Sequence, residues 1–315
     1  MLNRRILRIK VFQALYANNR EEQPVTARYE TFLLNSIKRI EEMYLFILNL
    51  PVELKYFIEN EANPEEIKFF PTMRDIETGN TFLYNGLINI LQNSLFFTQR
   101  HKKIVRQRWS DNKELLRIIF NDFKGGKLFQ QYLDEPVKNF EAQKRLMHSF
   151  FAVYLPETDD FDQYMEELSM HWQDDKKIIY KYLAKTVEDI KEGSDGDFLV
   201  DLTGNWDDDW EFARELFRKT LNNDSIYLDL IVKKTEKWDS ERIATTDLVL
   251  MKMALCEMLD FPSIPVKVTI NEYLEISKLY STPKSNSFLN GVLDKIKNEL
   301  KAENKILKQG RGLVE

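Results

Sequence analysis

Glycine and proline are so scarce here, 10 and 9 among 315 residues, that there is little material for the many tight turns of an all-β fold. Helices are the expected material, and apolar residues recur at helical spacing along most of the chain. A composition 43% apolar and 30% charged is that of a folded, soluble protein. At this length one extended domain or two packed helical units are the natural expectations.

The net charge of −6 and sequence pI near 5.4 confine any nucleic-acid binding to local patches. Arg4, Arg5, Arg8 and Lys10 open the chain without an acid, and Lys297, Lys301, Lys305, Lys308 and Arg311 make the tail basic. Acids gather at Asp195–Asp209. The single cysteine, Cys256, allows no internal disulfide and suits a reducing cytoplasm. The run MYLFILNL is too short to span a bilayer, and Lys10 and Gln13 interrupt any signal-peptide core, so a cytoplasmic location is expected.

The first helix shows Leu2, Ile6, Ile9, Phe12 and Tyr16 on one stripe and Leu7, Val11, Ala14 and Leu15 on another, so it packs on more than one side. Arg4 and Arg8 are four apart and are expected to project together as a basic knob. Helices are then predicted over Tyr29–Leu50, Thr72–Trp109, Leu115–Phe123, Val137–Tyr154 and Phe161–Ile190. The second of these ends in RHKKIVRQR at 100–108, a cluster that either solvates a long helix or extends a path for RNA. Gly193–Asp209 is the expected break, followed by helices at Asp209–Leu221, Asp224–Lys234, Arg242–Leu259, Val266–Tyr280 and Ser287–Leu300, with fraying beyond Lys301. The polar segment STPKSNS, containing Pro283, reads as the turn between the last two helices. Gly291 in a helix interior costs about 1 kcal/mol relative to Ala, which predicts a close backbone approach there.

Catalytic patterns are scarce. His101, His148 and His171 are far apart without metal-ligand spacing, and no phosphate-cradling GxxxxGK[ST] or GxGxxG is present. No metal, cofactor or enzymatic activity is expected.

Three blocks resemble the NusB family of transcription antitermination factors: RRILRIKVFQALYANN at Arg4–Asn19, RIATTDLVLMKMALCEML at Arg242–Leu259, and PVKVTINEYLEISKLY with SFLNGVLDK after it. The resemblance implies an all-α bundle of two subdomains. Residues 1–20 would supply its first helix, 205–301 the remainder, 21–204 a helical insertion, and 302–315 a basic, frayed tail. It also implies pairing with NusE, a small-subunit ribosomal protein, binding of boxA-like single-stranded RNA, and entry into an RNA polymerase elongation complex. NusB-like domains also lead certain rRNA cytosine methyltransferases, but the catalytic domain of those enzymes is not expected here.

Residue by residue, the resemblance assigns RNA contact to the basic first helix through Arg4, Arg5, Arg8, Gln13 and Tyr16. Tyr280 matches a position where the family carries an RNA-contacting aromatic, and Lys284, Ser285 and Asn286 are available for polar contacts beside it. Ser281 and Pro283 depart from the family's glycine after that aromatic. Lys267, Asn271 and Asn290 belong to the signature, and Lys267 and Asn290 complete the candidate RNA-binding set. A scaffold that keeps the fold and recruits proteins through its acidic insertion is the alternative.

Overall fold

The computed structural model describes residues 2–62, 70–195, 197–202, 204–235 and 243–309. Among these the fold is all-α. Two compact units divide the chain: Met1–Ile37 with Leu202–Glu315, and Lys38–Asp201.

The first unit contains α1 (Arg4–Asn19), the start of α2 (Thr26–Leu48), and α12 (Trp206–Asn222), α13 (Asp224–Lys234), α14 (Thr245–Asp260), α15 (Val266–Tyr280) and α16 (Pro283–Ala302). Helix α14 is its axis. Every residue from Val249 to Met258 is buried, so this helix is enclosed on all sides, with α1, α12, α13, α15 and α16 packed around it. Helix α1 also lies against α12 and α15, joining the chain's beginning to its last third. Its Asn3 side chain accepts a hydrogen bond from the Ile6 amide and fixes the start of the helix.

The second unit contains the rest of α2, α3 (Leu50–Phe57), α4 (Met73–Leu83), α5 (Gly86–Asn93), α6 (Leu95–Ile104), α7 (Lys113–Gly125), α8 (Lys127–Leu133), α9 (Phe140–Ser149), α10 (Asp159–Leu168) and α11 (Trp172–Asp189). Aromatic packing dominates its core. Trp109 stacks on Phe46 with ring centroids 4.2 Å apart and donates its indole N–H to the Phe46 carbonyl. Phe82, Phe120, Phe123, Phe129 and Phe150 form a second cluster through edge-to-face and stacked pairs.

Several expectations need correction. The predicted helix over Thr72–Trp109 is three helices, because Asn85 accepts from the Leu87 and Ile88 amides and Ser94 from the Phe97 amide, each capping a new start. Phe161–Ile190 divides at Ser169–His171 into α10 and α11. The final helix begins at Pro283, not Ser287: Thr282 caps it, so Lys284, Ser285 and Asn286 form its first turn and not a loop.

The tail does not fray at Lys301. After Ala302 the chain closes a Schellman turn, with Asn304 at φ 53° and the Lys305 amide on the Leu300 carbonyl. Lys308 then returns to donate to the Glu257 and Phe261 carbonyls at the end of α14. Gly291 is exposed, and a Cβ there would meet nothing within 4 Å, so no close approach among the described residues accounts for it. Arg242, the separator Trp238-Asp239-Ser240 and Arg311 lie outside the described residues.

Candidate nucleic-acid interface

Helices α1 and α15 run parallel, side by side. Arg5 meets Glu272 and Gln13 meets Tyr280, so both rungs join residues 267 apart in sequence. Eight residues separate the rungs on each helix, about 12 Å at 1.5 Å per residue. The candidate residues divide between the two ends of this strip.

At the first end the arginines differ in their availability. Arg4 is exposed, with its guanidinium 4.2 Å from the centre of the Phe212 ring and 4.0 Å from the buried Asp209 carboxylate. Arg5 is half-buried and makes a two-pronged pair with Glu272 at 2.8 and 2.9 Å. That hydrogen bonding holds the Glu272 carboxyl below its ordinary range and raises the Arg5 guanidinium. These groups line a cleft of about 880 Å³ whose walls include Phe212, Phe261, Pro265 and Val268 and whose rim carries Asp208, Glu211 and Glu215.

Arg8 does not share a basic knob with Arg4. It is 3% exposed and donates to Glu257, itself 0% exposed, at 2.7 and 2.8 Å. Burial opposes its charge, yet the hydrogen bonds to Glu257 leave the guanidinium raised. Thr269 and Tyr273 also donate to Glu257, at 2.8 and 3.2 Å, so the carboxylate joins α1, α14 and α15. Arg8 thus ties helices together and, although it reaches the wall of the cleft, presents little surface to a ligand. Lys10 is likewise fully buried.

The other end brings Gln13, Tyr16 and Tyr280 together. Gln13 donates to the Tyr280 hydroxyl at 3.3 Å, and Phe12 packs against both tyrosines, its ring 4.9 Å from Tyr280 and 6.1 Å from Tyr16. Both tyrosines are partly exposed. Arg20, which sequence reasoning missed, lies one turn beyond Tyr16. It donates to the Tyr16 hydroxyl at 3.2 Å and stands 5.5 Å from its ring centre. The i, i+4, i+8 spacing of Phe12, Tyr16 and Arg20 was the available signal.

Polar contacts fix the junction after Tyr280. Ser281 donates to the buried Asp247 carboxylate at 2.5 Å, and the Ser285 amide is held by the Thr282 cap. Asn286 donates to the Leu274 carbonyl and the Ser277 hydroxyl, both at 2.8 Å, which clips α16 to α15. Lys284, Lys267, Asn271 and Asn290 are exposed. Lys267 lies near the start of α15, about 20 Å along the helix from Tyr280, so it belongs with the Arg4 end.

Among the described residues no helix is long and apolar enough to cross a membrane. The NusB family model matches residues 177–298. Among curated proteins the chain is similar to the transcription antitermination protein NusB of Salinibacter ruber, 42% identical over 104 residues, 33% of this chain and 65% of that protein. It is similar to the Chloroherpeton thalassium protein of the same name at 47% over 142 residues, 44% of this chain and again 65% of the relative. The chain thus spans slightly under two thirds of these two relatives. The NusB of Thermodesulfovibrio yellowstonii is 32% identical over 143 residues, 45% of this chain and 90% of that protein. Among solved structures, T. maritima NusB matches at 28% identity over 50% of this chain and 91% of its own, with a TM-score of 0.28. With nine tenths of the Thermodesulfovibrio yellowstonii protein covered at 32% identity, the chain belongs to the NusB family.

Proposed function

We propose that this protein is a cytoplasmic, non-enzymatic transcription antitermination factor that pairs with NusE and binds boxA-like single-stranded RNA of ribosomal RNA transcripts. The pair would then join an elongating RNA polymerase complex. Residues 21–204 are proposed as a helical insertion within the NusB-like domain formed by 1–20 and 205–301.

One observation carries the reading. Tyr16 and Tyr280, far apart in sequence, form with Gln13 and Arg20 a partly exposed aromatic and cationic cluster. Unpaired bases stack on such rings, at about 1–3 kcal/mol each, and a nearby guanidinium adds phosphate contact. Arg4 and Lys267 at one end of the strip, and Lys284 at the other, supply exposed charges for the backbone. Ser285 and Asn290 border the first half of α16, and Arg5 enters only by exchanging its Glu272 partner for phosphate. Arg8 is reassigned from ligand contact to positioning α1.

The test is a titration of fluorescent boxA-like RNA with the full chain, with and without NusE, at several salt concentrations. Replacing Tyr16 and Tyr280 by Ala should weaken binding at least about fivefold per ring, consistent with a stacking loss of about 1 kcal/mol or more. Binding with NusE that is no tighter than to a scrambled strand discards the reading.

A further inference from the structure

The longest acid-free stretch of the second unit runs from Thr78 to Ser110, and the helix α6 near its end has no part in the family match, which begins at residue 177. The cluster RHKKIVRQR closes this stretch. Its six basic residues have three different fates in the structure. Arg100 is half-buried and anchored to Glu41 at 2.7 Å. His101 is partly buried, and burial lowers its affinity for a proton. The other four, Lys102, Lys103, Arg106 and Arg108, are exposed and make no ion pair or hydrogen bond among the described residues.

The backbone presents these four cations in order. Lys102 and Lys103 occupy the last turn of α6, where the helix dipole favours them. The chain is then extended at Val105 and again at Arg108, with ψ of 129° and 133°. Alternation turns Val105, Gln107 and the buried Trp109 inward and Arg106 and Arg108 outward. Trp109, stacked on Phe46, pins the far end, as Arg100 pins the near one. A solvated charge run needs neither anchor.

An exposed aromatic completes the surface. Phe96 is 40% exposed and lies seven residues before Lys103, so the two share a helix face with Gln99 between them. Exposed cations within about two helical turns of an accessible ring match a single-stranded nucleic acid, whose phosphates and base faces alternate along the strand.

We infer that α6 and the extended segment after it form a second, sequence-independent contact surface for single-stranded RNA, carried by Lys102, Lys103, Arg106, Arg108 and Phe96. The choice of RNA as the polyanion rests on the function proposed above. The surface acts on transcript outside the boxA-like element, adding affinity without reading bases.

The experiment compares the full-length protein with its K102A/K103A/R106A/R108A variant and with Phe96→Ala, using a boxA-like oligonucleotide, long poly(U) and phosphatidylglycerol vesicles across a salt series. All five side chains reach solvent, and an unchanged circular dichroism melt verifies folding. The quadruple variant should bind poly(U) at least about tenfold more weakly, with a salt slope flatter by up to about 3, from roughly 0.7 per phosphate contact. Phe96→Ala should lose about fivefold or more through stacking, with its salt slope kept. An unchanged poly(U) affinity and slope in the quadruple variant overturns the inference, as does loss of vesicle binding alone. A wild type that holds poly(U) through these residues but ignores the boxA-like sequence sinks the earlier reading and leaves this one standing.

Discussion

Replacing Arg8 by Met tests whether this residue holds the first unit together. Methionine keeps the stem but removes both guanidinium donors to Glu257, leaving a carboxylate of zero exposure with, among the described residues, the Thr269 and Tyr273 hydroxyls. Removing one partner of a buried ion pair costs about 3–5 kcal/mol. The two surviving donors, at about 1 kcal/mol each, place the expected loss near the lower end, about 3 kcal/mol. For a unit of about 150 residues, at about 2–4 °C per kcal/mol, the melting temperature should fall by about 6–12 °C. Urea denaturation of wild type, Arg8→Met, Glu257→Leu and the double variant completes a thermodynamic cycle. The double variant should be more stable than either single one but short of wild type, since the apolar pair removes the stranded charge while the buried Thr269 and Tyr273 hydroxyls lose their acceptor. An Arg8→Met loss below about 1 kcal/mol, or a double variant as unstable as either single one, refutes the reasoning. The salt slope of RNA binding by the folded Arg8→Met protein should match wild type, whereas Arg4→Ala should flatten it.

Other outcomes follow from the same geometry. Glu272 is held below its ordinary value by Arg5, so its stabilising contribution is complete at neutral pH and drains as pH falls through the lowered folded value; Arg5→Ala should flatten the acid limb of a stability profile. Cys256 is fully buried, and burial pushes its thiol up to about 12, so a thiol reagent should modify it only at the rate of unfolding. Gly291→Ala should stabilise the isolated protein by about 0.5–1 kcal/mol in chemical denaturation, because the new methyl meets open space. Destabilisation there would refute the reading of that helix face.

Much of the helical layout is legible in the sequence, because α13 and α15 have the bounds that their apolar spacing and flanking polar residues predict. The division of Thr72–Trp109 was obscured because hydrophobic periodicity continues while Asn85 and Ser94 reset the hydrogen bonding locally. The site was legible as a set of types and not as a surface. Spacing puts Arg4 and Arg8 on one side of α1, but only the position of Glu257, 249 residues away, decides that Arg8 faces inward. Likewise Gln13 and Tyr280 share no local pattern, and their meeting depends on the parallel register of α1 and α15. Gly291 shows the converse: its cost inside a helix is legible from the residue type alone, but no neighbour among the described residues explains it.

The stitching of the molecule's beginning to its last third sets a timetable on the ribosome. Helix α1 leaves the exit tunnel with Leu7, Val11, Ala14 and Leu15 shaped for burial, yet α12 starts 187 residues after α1 ends. At about 5–20 residues per second, that sticky leading segment waits some 10–40 seconds for its partners, while Lys38–Asp201 can already condense. A nascent chain of this design is therefore exposed to chaperone capture at α1, and slowing translation anywhere between α1 and α12 should lower its yield.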